Sequence, residues 1–219
     1  PQGLRPRVSQ TGRFFVRFYL ALSLAAMLLL MVCGMNWFDA ICHCFTTVAT
    51  AGFSTRNASI AAFDSFSIEL VVMFFMLASG VGFALYYRVI TGGVPGKYLS
   101  MGNWELLRNL PRLLVEILRI PRQAPRMLKP LRESKELHLY LLLALLITAI
   151  CTVSMVWSSK PILLTTGEEV QSGFLNSLRY AAFGTISILT TTGYTAAAYE
   201  TWPALAIVAL MSIYIVGGR

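Results

Sequence analysis

The chain has 219 residues, 56% of them hydrophobic and only 13% charged, with a formal net charge of +8. Soluble domains carry about 25% charged residues, so this composition excludes a disordered acidic chain and argues against an ordinary soluble domain. The bilayer is the expected solvent.

Four runs are free of charge: residues 18–35, 70–87, 139–159 and 202–218. Each approaches the length of about 17–25 residues that a helix rising about 1.5 Å per residue needs to cross about 30 Å of hydrocarbon. Four spanning helices are expected. Arg13 and Arg17 lead into the first run, which has full spanning length and no small-residue cleavage site after it, so it does not read as a secretory signal. The chain opens at Pro1-Gln2 and ends at Val216-Gly217-Gly218-Arg219 inside an apolar run, as a piece of a longer protein would.

Lys and Arg gather in two places. Arg5, Arg7, Arg13 and Arg17 precede the first run, Arg88 closes the second, and residues 91–136 hold nine more from Lys97 to Lys135. The positive-inside rule puts the N-terminus and this linker in the cytoplasm, which leaves Arg56, Lys160 and Arg179 outside. The boundaries follow: a span, short apolar segment and span over 1–90, a basic cytoplasmic linker over 91–136, and a second such unit over 137–219. The basic balance reads as orientation and attraction to anionic lipid headgroups, not as nucleic-acid binding. Within the linker, Trp104, Leu107, Leu110, Leu114, Ile117 and Leu118 recur at helical spacing, with Pro111 bending the helix. Such a helix lies in the headgroup plane or docks a cytosolic partner. Pro121, Pro125 and Pro130 beyond it suggest a stiff non-helical connector.

The outer segments, residues 36–64 and 160–201, are not composed like ordinary loops. Each holds an apolar stretch too short to span, followed by Thr and a Gly: Phe45-Thr46-Thr47-Val48-Ala49-Thr50-Ala51-Gly52-Phe53-Ser54 and Ile186-Ser187-Ile188-Leu189-Thr190-Thr191-Thr192-Gly193-Tyr194-Thr195. Non-helical backbone at membrane depth is tolerated only where protein buries it or where it lines a watery cavity. A Thr/Gly turn entering the membrane is therefore a pore candidate. Backbone carbonyls replace the water that a monovalent cation must shed, and they add no full charge to trap it. Gly52 and Gly193 let the backbone approach the axis closely. The short helix before each turn points its partially negative end at the cation. Asp39 and Ser172 are placed to cap these two helices.

Other residues have blander readings. Cys42-His43-Cys44 invites a metal, but successive helical positions diverge by about 100°, so helix packing is favoured. Cys33 and Cys151 fit as small apolar residues in the spans, and four scattered Cys give no disulfide framework. Glu69 and Arg88, near the ends of the second run, are expected to snorkel to the headgroups, and His138 to be interfacial. Glu168 and Glu169 either concentrate cations at the outer mouth or lie in a solvated loop. No elbow, triad, P-loop or GxGxxG pattern is present, and an enzyme is not expected.

The two Thr/Gly turns, each behind a Phe-rich short helix, resemble the filter loops of the Trk/Ktr/HKT superfamily, in its bacterial TrkH-type branch. That resemblance covers essentially the whole chain and is strongest to the second and third of the family's four repeats. It implies an all-α membrane protein with two span, pore-helix and span repeats of a potassium-channel-like fold, half of a pseudo-fourfold pore in the bacterial inner membrane. It implies K⁺ as the transported ion, with Thr50, Ala51, Gly52 and Phe53 lining one quadrant of the filter and Thr191, Thr192, Gly193 and Tyr194 another. Gly217 and Gly218 would begin a gate loop below the filter. Ala51 stands where many relatives carry Gly, and Arg219 where a small residue is expected. The implied partners are a second copy of the subunit and a cytosolic nucleotide-binding regulatory subunit, with no cofactor in this chain. Read without the resemblance, the residues also allow another monovalent-cation channel, a Na⁺-coupled symporter or a non-conducting membrane scaffold.

Overall fold

A computed structural model of the chain describes residues 4–93 and 129–217. The helices are α1 (Leu4–Val32), α2 (Trp37–Val48), α3 (Phe66–Gly80), α4 (Phe83–Gly93), α5 (Lys135–Ser158), α6 (Phe174–Leu189) and α7 (Ala204–Gly217). The linker helix expected at 104–118 and Gly218 lie outside the described residues. The expected connector reaches Pro130, which lies inside a helical turn at 129–133, where Lys129 pairs with Glu133 at 3.7 Å.

Two of the described helices are long and apolar enough to cross a membrane, Gly12–Val32 and Lys135–Ser158. The second apolar run is not one continuous span. It breaks after Gly80 and resumes at Phe83, because Gly80-Val81-Gly82 places two residues of poor helix propensity around one β-branched residue. At about 1.5 Å per residue, the 15 residues of α3 cover less than the hydrocarbon thickness of about 30 Å. The fourth run starts its helix at Ala204, just after Pro203.

The chain forms two compact units. One takes Pro1–Ala21 and Val81–His138, and within its described residues Phe14 meets Tyr87 edge-on at 5.1 Å while Phe18 lies against Tyr86 at 4.5 Å. The other takes Leu22–Gly80 and Leu139–Arg219. In it α2 packs on α3, α3 on α6, and α6 on α7. Leu30, Met76, Cys151, Ala181, Phe183 and Ala206 form the centre of its core. Leu24, Leu28 and Val32 on α1 and Leu142, Leu145 and Leu146 on α5 stay exposed, a surface suited to lipid or to another apolar partner.

The second outer segment also contains a hairpin that the residue pattern did not announce. Strands β1 (Ile162–Leu163) and β2 (Glu169–Val170) pair antiparallel around a turn at Gly167, and Leu164 bridges Ala197. Thr165 Oγ1 donates to the Ala58 carbonyl at 2.8 Å, and the Thr195 amide donates to Ser59 Oγ at 3.3 Å. The loop that follows the first turn is thereby stitched to the hairpin and to the loop that follows the second turn.

Candidate functional site

The two Thr/Gly turns have the same backbone. Helix α2 ends at Ala49 (φ −79°, ψ −1°) and α6 at Thr190 (φ −84°, ψ 0°). The next residues, Thr50 and Thr191, are left-handed at φ 50° and 57°, and Gly52 and Gly193 follow at φ 68° and 86°. A left-handed threonine is strained by its branched Cβ, and such strain persists where the surroundings over-determine it. The constraint is visible in the amides. The N–H groups of Ala51 and Gly52 donate to the Thr46 carbonyl at 2.8 and 3.3 Å, and those of Thr192 and Gly193 to the Ser187 carbonyl at 2.9 and 3.3 Å.

These bonds turn the donors back toward the helix ends. Among the described residues, no hydrogen bond reaches the carbonyls of Thr50, Ala51, Gly52, Thr191, Thr192 or Gly193. A row of acceptors without donors, at the partially negative ends of two helices, is suited to a cation. The Thr190 and Tyr194 carbonyls differ, since they accept the hydroxyls of Thr191 and Ser187, both at 2.7 Å.

The two turns also touch. A Cβ on Gly52 would lie 1.9 Å from the Thr192 carbonyl oxygen, whereas one on Gly193 would meet nothing within 4 Å. Tyr194 bridges from the second turn to α2, the helix that leads into the first. Its hydroxyl lies 2.6 Å from Thr46 Oγ1, and Thr47 Oγ1 donates to it at 3.2 Å. Thr46 Oγ1 also reaches the Cys42 carbonyl at 2.9 Å, and the Tyr194 hydroxyl donates to the His43 carbonyl at 3.3 Å. Tyr194 is 2% exposed; Phe53, at the same place in the first turn, is 76% exposed.

The matched region has this architecture in known proteins. A family model described as TrkH, cation transport protein, matches residues 4–219. The chain belongs to the TrkH family. It is 33% identical over 215 residues to the Trk system potassium uptake protein TrkH of Halomonas elongata, covering 98% of this chain and 36% of that protein. The TrkH of Escherichia coli K12 is 28% identical over the same shares, and that organism's TrkG is 30% identical over 98% of this chain and 35% of its own. The chain thus spans about a third of the length of these relatives. The crystal structure of the potassium transporter TrkH from Vibrio parahaemolyticus shares the fold, with a TM-score of 0.73 at 24% identity over 97% of this chain and 37% of that one. Family members are membrane cation transporters, not a class of enzyme.

Around the TrkH-type turns the structure corrects several local expectations. Asn36, not Asp39, caps α2, by accepting the Asp39 amide at 2.8 Å. Asp39 sits on the third helical position and accepts bonds from Asn36 Nδ2 (2.7 Å), the Thr55 hydroxyl and Arg56 Nη2 (2.7 Å). It therefore ties the start of α2 to the chain leaving the first turn. Gly173, not Ser172, precedes α6, with no side-chain cap. His43 is a satisfied core residue: its Nδ1–H donates to the Asp39 carbonyl at 2.7 Å, leaving Nε2 to accept the Ser54 hydroxyl at 2.9 Å. No group of three or more His, Cys, Asp or Glu among the described residues could hold a metal ion. Gly217 is the last residue of α7.

Glu69 does not snorkel. It is buried, and Arg179 Nε and Nη2 donate to its two oxygens at 2.7 and 2.8 Å. The signal for this pair was present in the sequence, because Arg179 interrupts an apolar short helix and an intramembrane charge calls for a partner. The caps were legible as well, since Asn followed three residues later by an acidic residue is a helix-start pattern.

Removing the Tyr194 hydroxyl leaves Thr47 Oγ1 buried without this acceptor, a loss of about 1–3 kcal/mol. Tyr194→Phe should therefore lower the thermal midpoint of the complete transporter without changing its assembly, as read by scanning calorimetry and size-exclusion chromatography. Asp39 gives a pH dependence. The Thr55 hydroxyl, with Arg56 and Asn36, lowers its carboxyl below the ordinary value against the cost of burial. Its folded value lies below the unfolded one, so its stabilisation is complete above about pH 4 and is lost as pH falls through the folded value. The thermal midpoint of the wild type should fall more steeply below about pH 4 than that of Asp39→Asn, which starts lower at neutral pH.

Proposed function

We propose that this chain forms two adjacent quadrants of a potassium-uptake pathway across the bacterial inner membrane, as half of a pseudo-fourfold pore. The observation that carries this reading is the pair of matching Thr/Gly turns, in contact at Gly52 and Thr192, whose amides are folded back and whose carbonyls have no donor. The names of the relatives, Trk system potassium uptake proteins, support K⁺ as the ion.

In this reading 1–90 and 137–219 are the two repeats, 91–136 is the cytoplasmic linker, and α2 and α6 are pore helices. A K⁺ ion exchanges hydration water for the carbonyls of Thr50, Ala51 and Gly52 on one side and Thr191, Thr192 and Gly193 on the other. No bond is made or broken; selectivity is the difference between hydration and carbonyl coordination. Phe53 and Tyr194 border the same quadrants, with Tyr194 holding the second turn to the first pore helix. Gly217 and Gly218 begin a gate loop beneath the filter. The remaining quadrants come from further repeats of the complete protein, which pairs with a second copy and with a cytosolic nucleotide-binding regulatory subunit. With one filter glycine per repeat, fewer rigid sites are expected than in a tetrameric channel with several stacked carbonyl rings, and discrimination against Na⁺ is looser.

The two glycines separate this reading from a non-conducting scaffold. Gly52→Ala forces a Cβ onto the Thr192 carbonyl in a left-handed backbone, so K⁺ uptake by the complete protein should be abolished. Gly193→Ala meets no neighbour in this chain and carries only the left-handed penalty of about 1 kcal/mol, so uptake should persist with altered competition by Na⁺. Intact uptake by Gly52→Ala, measured with tracer flux in proteoliposomes, would sink the pathway reading.

A further inference from the structure

The ion pair of Glu69 and Arg179 lies outside the two Thr/Gly turns and is held by two parallel bonds. Glu69 stands in the first turn of α3 and is 2% exposed. Arg179 reaches it from α6 with two parallel bonds of 2.7 and 2.8 Å. The guanidinium also lies 5.3 Å from the ring centre of Phe66, three residues before Glu69, and 5.2 Å from that of Tyr180. A carboxylate fork and two rings therefore hold one planar group, and a plane gripped this way has a single orientation.

A pair whose carboxylate is buried and whose guanidinium is partly so adds little net stability, because desolvation offsets most of the attraction. What it does supply is geometry. It joins a helix of the first repeat to the pore helix of the second, and Arg179 and the Thr191 to Gly193 turn sit on the same element and its end. A rotation or slide of α6 that moved the carbonyls of that turn would have to break both parallel bonds. We propose that Glu69 and Arg179 form a positioning clamp that fixes the rotation and depth of α6, and thereby sets discrimination between K⁺ and the smaller Na⁺ at the second turn. The proposal rests on the pathway reading above.

The test uses the complete transporter in proteoliposomes, with Glu69→Gln, Arg179→Gln, the double variant and Arg179→Lys, and with Gly52→Ala alongside. The readouts are the ratio of K⁺ to Na⁺ uptake per folded protein and the thermal midpoint. Each single Gln variant is expected to lower the K⁺/Na⁺ ratio roughly tenfold, within the range over which residues that touch no ligand alter a coupled site. The double variant should be no worse than either single one, since the two residues act as a unit. Arg179→Lys, which keeps the charge and loses the fork, should give an intermediate ratio. A wild-type ratio in the Gln variants, with only the midpoint or yield reduced, overturns the clamp while Gly52→Ala still blocks uptake. Intact uptake by Gly52→Ala overturns the pathway reading and the clamp with it.

Discussion

The fold depends on how two short stretches of non-helical backbone satisfy their amides. At each turn, two consecutive N–H groups bend back onto a single carbonyl of the preceding helix, Thr46 in one case and Ser187 in the other. This geometry is possible only if the chain reverses hand twice in four residues, which is why Thr50 and Thr191 accept a strained left-handed backbone and why Gly52 and Gly193 follow. Its chemical result is a surface of acceptors. Most of the surrounding polar contacts can be understood as holding the helix ends still while those acceptors stay unpaired. Asp39 and His43 join α2 to the chain that leaves its turn, the Thr165 and Ser59 bonds join the first exit loop to the hairpin and to the second exit loop, and Tyr194 joins one turn to the other helix.

The two turns share a backbone without sharing an environment. The first is made of Ala49, Thr50, Ala51 and Gly52, with few side-chain hydroxyls, and the Thr192 carbonyl packs close enough to Gly52 to leave no room for a Cβ. The second carries Thr at all three positions before Gly193, and these hydroxyls bond locally: Thr190 to Thr192 at 2.7 Å and Thr191 to the Thr190 carbonyl. One turn is thus stiffened by its own side chains and the other by its neighbour. A mutation that loosens the second turn should therefore be felt in the first, but Gly52 has no hydroxyl network to pass a disturbance the other way.

Much of the site was legible in the sequence because its determinants are local. A glycine behind a run of threonines, after an apolar stretch too short to span, states its own conformation. The apolar runs likewise announced α1 and α5. Less legible were features whose cause is a residue far along the chain. Glu69 looked like a headgroup ligand, since nothing near it in sequence says that Arg179 will arrive. The break at Gly80-Val81-Gly82 was hidden inside a run without charge, because composition registers apolarity and is blind to helix continuity. The hairpin at Ile162 to Val170 has strands of two residues, too short for any alternation to declare itself.

The choice of a buried charged pair at the contact of α3 with α6 follows from the same constraint. Apolar packing between these helices would stabilise them as well or better, but close-packed side chains such as Met76 and Phe183 are compatible with several neighbouring registers. A bidentate contact is not, because displacing either helix leaves the buried Glu69 carboxylate without its two donors, a costly condition in such an interior. Where the quantity to be preserved is the position of a few carbonyl oxygens and not the total free energy of folding, a contact with a narrow well is worth more than a deep broad one. Glu69 and Arg179 provide the narrow well between α3 and α6, and the surrounding apolar core provides the depth.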